Sequence, residues 1–120
     1  MIITSWLVRE PESKTVPYSV SLEKRNGMIY LADEYMSDSH MFITKLKNLI
    51  SCSIENPKAI VLDILFGLND NGLLTDVSVA MFSKSSMSVK NTYKRLEEYY
   101  ADFLNKSLDE QVTFISGVLS

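Results

Sequence analysis

Tyr18-Ser19-Val20-Ser21-Leu22-Glu23-Lys24-Arg25-Asn26-Gly27-Met28-Ile29-Tyr30-Leu31-Ala32 is the stretch on which the fold turns. Tyr18, Val20 and Leu22 alternate with Ser19, Ser21 and Glu23, the period of a strand with one buried face. Asn26-Gly27 follows, a strong hairpin signal because both residues tolerate the positive φ of a tight turn. Met28 to Ala32 then reads as the return strand. Upstream, Ile2 to Val8 alternates weakly and reads as a further strand. Arg9 to Pro17, with two prolines and several polar residues, reads as a loop.

Downstream the period changes. Met41, Ile43, Leu46, Leu49 and Ile50 recur near helical spacing, with Lys45, Lys47 and Asn48 on the other side. Ser37, Asp38 and Ser39 are the candidate caps for this helix. Asn56-Pro57 marks a boundary, and proline suits the first helical position. Ala59 to Leu68 is apolar almost all round and reads as a central buried helix. Asn69-Asp70-Asn71-Gly72 reads as a turn. Gln111 to Ile115 fits either a strand or a short helix. The expected class is α+β and mostly helical: one domain over 1–120, with a strand and hairpin region at 1–35 and a helical region at 38–120.

Composition agrees with an ordinary globular chain. Of the 120 residues, 46% are hydrophobic and 22% charged, which argues against disordered, collagenous and membrane classes. The longest apolar runs, Ala59–Leu62 and Ile64–Phe66, are interrupted by Asp63 and fall far short of the roughly 20 residues of a membrane span. No basic stretch precedes the apolar Met1–Val8 and no small-residue cleavage site follows, so no signal peptide is expected. Cys52 is the only cysteine, which suits a reducing cytoplasm.

The formal charge of −3 weighs against a broad nucleic-acid surface, but its distribution is uneven. Lys84, Lys90, Lys94 and Arg95 fall in an acid-free run, while acids cluster elsewhere, as at Asp33-Glu34 and Asp109-Glu110. The run sits in a segment, 73–100, that reads as two helices and a break. Thr75 is a candidate N-cap. Val79, Ala80 and Phe82 supply apolar contacts, and the small Ala80 suits closely crossing helices. Ser83-Lys84-Ser85-Ser86 is the polar break. In the second helix Val89, Tyr93, Leu96, Tyr100 and Phe103 fall at i, i+4, i+7, i+11 and i+14, one continuous apolar stripe. Lys90, Asn91, Lys94 and Arg95 lie off it. A recognition helix needs this layout: an apolar side that docks on the domain and a polar N-terminal side for the major groove. Lysine and arginine engage phosphates or guanine, and asparagine reads adenine through two hydrogen bonds. Ser85, Ser86 and Ser88, with backbone N–H groups at the helix start, suit phosphate anchoring. The candidate DNA-binding set is therefore Lys84, Ser85, Ser86, Ser88, Lys90, Asn91, Lys94 and Arg95.

Asn71-Gly72-Leu73-Leu74-Thr75, Val79-Ala80, Ser86-Met87-Ser88-Val89 and Lys94-Arg95-Leu96-Glu97-Glu98 together resemble the helix-turn-helix of bacterial winged-helix regulators of the MarR type. Val61-Leu62-Asp63-Ile64-Leu65 and Ser88-Val89-Lys90-Asn91 are also similar to the LuxR-type DNA-binding domain. The resemblance covers residues 59–100 at the level of the motif. It implies a small bacterial or phage transcription regulator that binds double-stranded DNA as a dimer. The hairpin, or the helix near Met41–Ile50, is the expected dimer surface. Ser107 to Ser120 holds no lysine or arginine, so a DNA-contacting basic wing is not expected there.

No catalytic constellation stands out, and no enzyme activity, cofactor or metal is expected. His40 is the sole histidine and reads as a capping or surface residue. Cys52 reads as a small apolar residue at a helix end. Asp33-Glu34 and Glu97-Glu98 are adjacent pairs, and neighbours on a helix diverge, so neither makes an acid/base couple. Tyr93, Tyr99, Tyr100 and Trp6 read as packing residues. The alternative to DNA binding is a non-enzymatic acidic inhibitor, or an immunity or anti-defence protein, that covers a basic protein partner.

Overall fold

The computed structural model describes residues 1–9, 16–74 and 100–120. Among these, four strands form one antiparallel sheet in the order β1-β2-β3-β4: β1 Ile2–Val8, β2 Tyr18–Arg25, β3 Met28–Leu31 and β4 Glu34–Tyr35. Three helices with described bounds follow, α1 Ser39–Ser51, α2 Pro57–Asp70 and α3 Leu108–Leu119. Residues 100–104 are also helical. The chain is α+β with its sheet at the N-terminal end, as its periodicity indicates. The hairpin is the centre of a larger meander.

Both hairpin turns obey the same backbone rule. Arg25 pairs with Met28 across Asn26-Gly27, whose φ values are 50° and 79°. Leu31 pairs with Glu34 across Ala32-Asp33, at 51° and 62°. A two-residue connection whose twist matches the strands needs positive φ at both positions. Ala32 pays a steric cost there that Gly27 avoids, so the second turn has no glycine signal. The return strand consequently stops at Leu31, one residue short of the Ala32 expected.

The sheet buries one face. Trp6, Val20, Leu22, Ile29 and Leu31 point inward and are buried, and α1 and α2 lie over them, α2 against β1 and α1 against β3. The Trp6 indole N–H donates to the Leu49 carbonyl at 3.1 Å, which ties β1 to α1. A register shift between Ile2 and Thr4 lets Ile3 turn into the core. Gly67 of α2 lies against that point: a Cβ there would stand 2.1 Å from the Ile3 carbonyl oxygen. The close crossing of helix and strand requires glycine.

The helices start where their caps place them. Asp38 caps α1, accepting from the Met41 N–H at 2.7 Å. Asn56 caps α2 with Pro57 behind it. Ser107 caps α3: its Oγ accepts from the Glu110 N–H at 3.2 Å and its hydroxyl donates to Glu110 Oε1 at 3.0 Å. The tail around Gln111–Ile115 is therefore helix. In α1 the buried residues are Phe42, Leu46, Leu49 and Ile50, while Met41 and Ile43 are half-buried. The stripe is turned slightly from the one the spacing suggests. In α2, Ile60, Val61, Ile64, Leu65 and Leu68 are buried, whereas Ala59 and Asp63 are exposed. The helix continues through Asn69 and Asp70, so the expected turn begins only at Asn71. No helix among the described residues is long and apolar enough to cross a membrane.

Candidate functional site

The eight candidate DNA-binding residues, Lys84, Ser85, Ser86, Ser88, Lys90, Asn91, Lys94 and Arg95, lie outside the described residues, as do Tyr93 and Tyr99. The structure describes the two ends of the segment that carries them. At the first end, α2 closes through Gly72, and the N–H groups of Leu73 and Leu74 return to the Leu68 carbonyl at 2.9 and 3.2 Å. Leu74 is buried. At the second end, the helical residues 100–104 place Tyr100 and Phe103 in the core while Ala101 and Asp102 face solvent.

Tyr100 and Phe103 are the last two members of the apolar stripe read from the sequence. They belong to an aromatic chain that crosses the core. Phe66 of α2 meets Tyr100 edge-on at 6.4 Å, Tyr100 meets Phe103 at 6.4 Å, and Phe103 meets Phe114 of α3 at 5.4 Å. Tilted and edge-to-face contacts at such distances are favourable beyond the area they bury. Burial pushes the Tyr100 phenol up from its ordinary range, because the phenolate would lose its hydration. Gln111, also buried, donates to the Phe103 carbonyl at 3.0 Å. The segment 75–99 thus leaves from, and returns to, positions held in the core.

Two other features are candidates by residue type. His40 is exposed in the first turn of α1, on an open groove of about 420 Å³ that runs past Thr44 and Lys47 to Asp109 of α3. Lys47 Nζ meets Asp109 Oδ1 at 2.6 Å. This is a solvated ion pair beside an imidazole, with no oriented partner for proton transfer in the described groove. No group of three or more His, Cys, Asp or Glu residues able to hold a metal occurs among the described residues. Cys52 is the C-cap of α1 and half-buried, its Sγ 3.8 Å from Asn48 Oδ1.

The second feature lies on the outer face of the sheet, and the sequence reading does not single it out. Arg25 holds Glu23 through two hydrogen bonds of 2.7 and 2.8 Å and reaches Asp33 at 3.2 Å. Its guanidinium stands 4.5 Å over the Tyr30 ring, and Tyr30 meets Tyr35 at 5.8 Å. The Arg25 hydrogen bond holds the Glu23 carboxyl below the usual range. On the far edge, Lys45 of α1 pairs with Glu34. The signal for this cluster is the i, i+2 spacing of Glu23 and Arg25, which puts both on one face of a strand.

No family model matches the chain, and neither the curated proteins nor the solved structures include one with significant similarity to it.

Proposed function

We propose that the chain is a small DNA-binding regulator that places the helix leading into Tyr100 in the major groove of duplex DNA. The observation that carries the reading is the burial of Tyr100 and Phe103, which fixes the phase of the stripe at its described end. On a helical projection at about 100° per residue, Val89, Tyr93 and Leu96 fall within about 40° of Tyr100. Asn91, Lys94 and Arg95 project about 120° or more away, and Lys90 about 80°. If the helix runs unbroken from Val89 to Tyr100, as this reading requires, Asn91, Lys94 and Arg95 lie opposite the core-facing stripe and Lys90 on its flank.

In this reading Lys90, Asn91 and Lys94 meet base edges, Arg95 and Lys84 meet phosphates or guanine, and Ser85, Ser86 and Ser88 anchor the backbone of the duplex. The protein acts in the cytoplasm as a homodimer, because two half-sites multiply a modest single contact. Fluorescence anisotropy with a labelled duplex tests it. The Lys90→Ala/Lys94→Ala double variant loses about tenfold or more in affinity and shows a shallower salt dependence. Equal affinity of variant and parent overturns the assignment.

A second reading is favoured by the described surface. Among the described residues ten Asp and Glu outnumber seven Lys and Arg, and Glu55, Asp63, Asp70 and Asp102 are exposed. Such a surface suits an acidic inhibitor, or an immunity or anti-defence protein, that covers a basic partner. Failure to bind any duplex, with salt-sensitive binding to a cationic nuclease, selects this reading instead.

A further inference from the structure

A sheet packed on one side ordinarily presents polar side chains on the other. The outer face here departs from that rule. Cross-strand pairing aligns Ile2, Glu23, Tyr30 and Tyr35 in a row across all four strands. Met28, opposite Arg25, extends this apolar patch on β3, and Leu7 lies on the same face further along β1. Ile2 is 61% exposed, Tyr35 47%, and Leu7 and Met28 each 41%. Around Leu7 the face is made of the small side chains Ser5, Ser19 and Ser21, which let another surface approach closely.

The charges at the centre of this face are already matched. Glu23 and Asp33 take up the Arg25 guanidinium, and the N-terminal ammonium lies 3.9 Å from Glu23. The face selects neither a polyanion nor a polycation. Arg25 is further held over Tyr30, so little side-chain freedom remains to be lost on docking.

We propose that this outer face is a two-fold interface between two copies of the chain, sheet against sheet. The proposal rests on the dimeric reading above and names its surface. A second copy presents the same neutral, apolar face, so an isologous contact meets no net repulsion. Strands about 4.8 Å apart, rising about 3.4 Å per residue, give the four strands a footprint of roughly 300 Å². With side-chain relief the two copies together bury roughly 1,000 to 1,200 Å², the low end for specific interfaces. The dimer is therefore reversible and separates on dilution.

Sedimentation velocity of the full chain, without DNA and over about 1 to 200 µM, tests the surface independently of the DNA-binding reading. The expected result is a concentration-dependent monomer–dimer equilibrium. Ile2→Lys and Tyr35→Glu, both at exposed positions, each weaken it at least tenfold while the circular dichroism spectrum stays unchanged. Thr44→Glu, on the exposed side of α1, leaves it intact. A parent protein that stays monomeric throughout overturns the proposal. So does a dimer that survives both sheet substitutions, or one lost only in Thr44→Glu.

Discussion

The two faces of the sheet are built from alternate residues of the same strands, yet they do different work. The inner residues Trp6, Val20, Leu22, Ile29 and Leu31 are covered by α1 and α2 and are nearly inaccessible. The outer residues Ile2, Leu7, Met28 and Tyr35 are large and apolar but open. Both faces therefore carry hydrophobic side chains, and hydrophobicity alone does not tell which face holds the fold. The difference lies in what meets each face. On the inner side, helices arrive at positions fixed by Gly67 and by the Trp6–Leu49 bond. The outer side has no such partner among the described residues. Substitutions on one face should cost folding, and on the other, association.

The largest separation is expected between Trp6→Ala and Tyr35→Ser. Emptying the Trp6 site should cost about 3–5 kcal/mol, as for other large aromatic truncations in cores. That is a large share of the roughly 5–15 kcal/mol that keeps a domain folded. Tyr35→Ser, measured at a concentration where the chain is monomeric, should cost no more than about 1 kcal/mol, the scale of its cross-strand contact with Tyr30. Urea melts of the two variants make the comparison. Equal losses would break the distinction between the faces.

Gly67→Ala comes next. The added methyl meets the Ile3 backbone carbonyl, and neither a rotamer change nor a flexible neighbour can relieve it. A loss of about 1–3 kcal/mol, the usual cost of overpacking, is expected. A stabilised variant, the ordinary outcome for Gly→Ala in a helix, would show that α2 does not cross β1 so closely. Asp38→Ala should cost about 1 kcal/mol by removing the α1 cap. Asp38→Asn should recover most of it, and thermal melts read both.

The smallest effect concerns pH. The folded-state pKa of Glu23 is depressed by Arg25, so its contribution is present above the ordinary glutamate range. That contribution is lost as pH falls through the depressed value. Carbon-detected NMR titration should place the Glu23 midpoint below the ordinary glutamate range, and Arg25→Gln should bring it back toward the ordinary value. A Glu23 midpoint at the ordinary glutamate value in the parent protein would remove the matched pair from the outer face.

These faces were legible in the sequence to unequal degrees. The alternation at Tyr18–Leu22 and the Asn26-Gly27 turn reveal β2, β3 and their inward side. β4 is hidden, because two residues show no alternation and its turn uses Ala32-Asp33 instead of glycine. The outer cluster is also hidden. Tyr30 and Tyr35 become neighbours only once that second turn folds them together. The starts of α1 and α2 are legible, since Asp38 and Asn56-Pro57 act through local hydrogen bonds, whereas the reading of the tail leaves strand and helix open and the Ser107 cap of α3 comes from the structure. Helix phase is less legible. Phe42 faces inward because of what α1 meets, and spacing alone cannot report a partner. Of the candidate DNA-binding helix, only the last two stripe residues, Tyr100 and Phe103, fall among the described residues, and both are buried as their spacing implies.

The most direct test of the central claim is the affinity for duplex DNA across a salt series. The expected result is binding at about 50 mM salt that falls steeply, by orders of magnitude, toward about 200 mM, as counterion release requires. In the Lys90→Ala/Lys94→Ala variant the slope should become shallower by about two contacts. A folded protein with no affinity for any duplex even at low salt would contradict it.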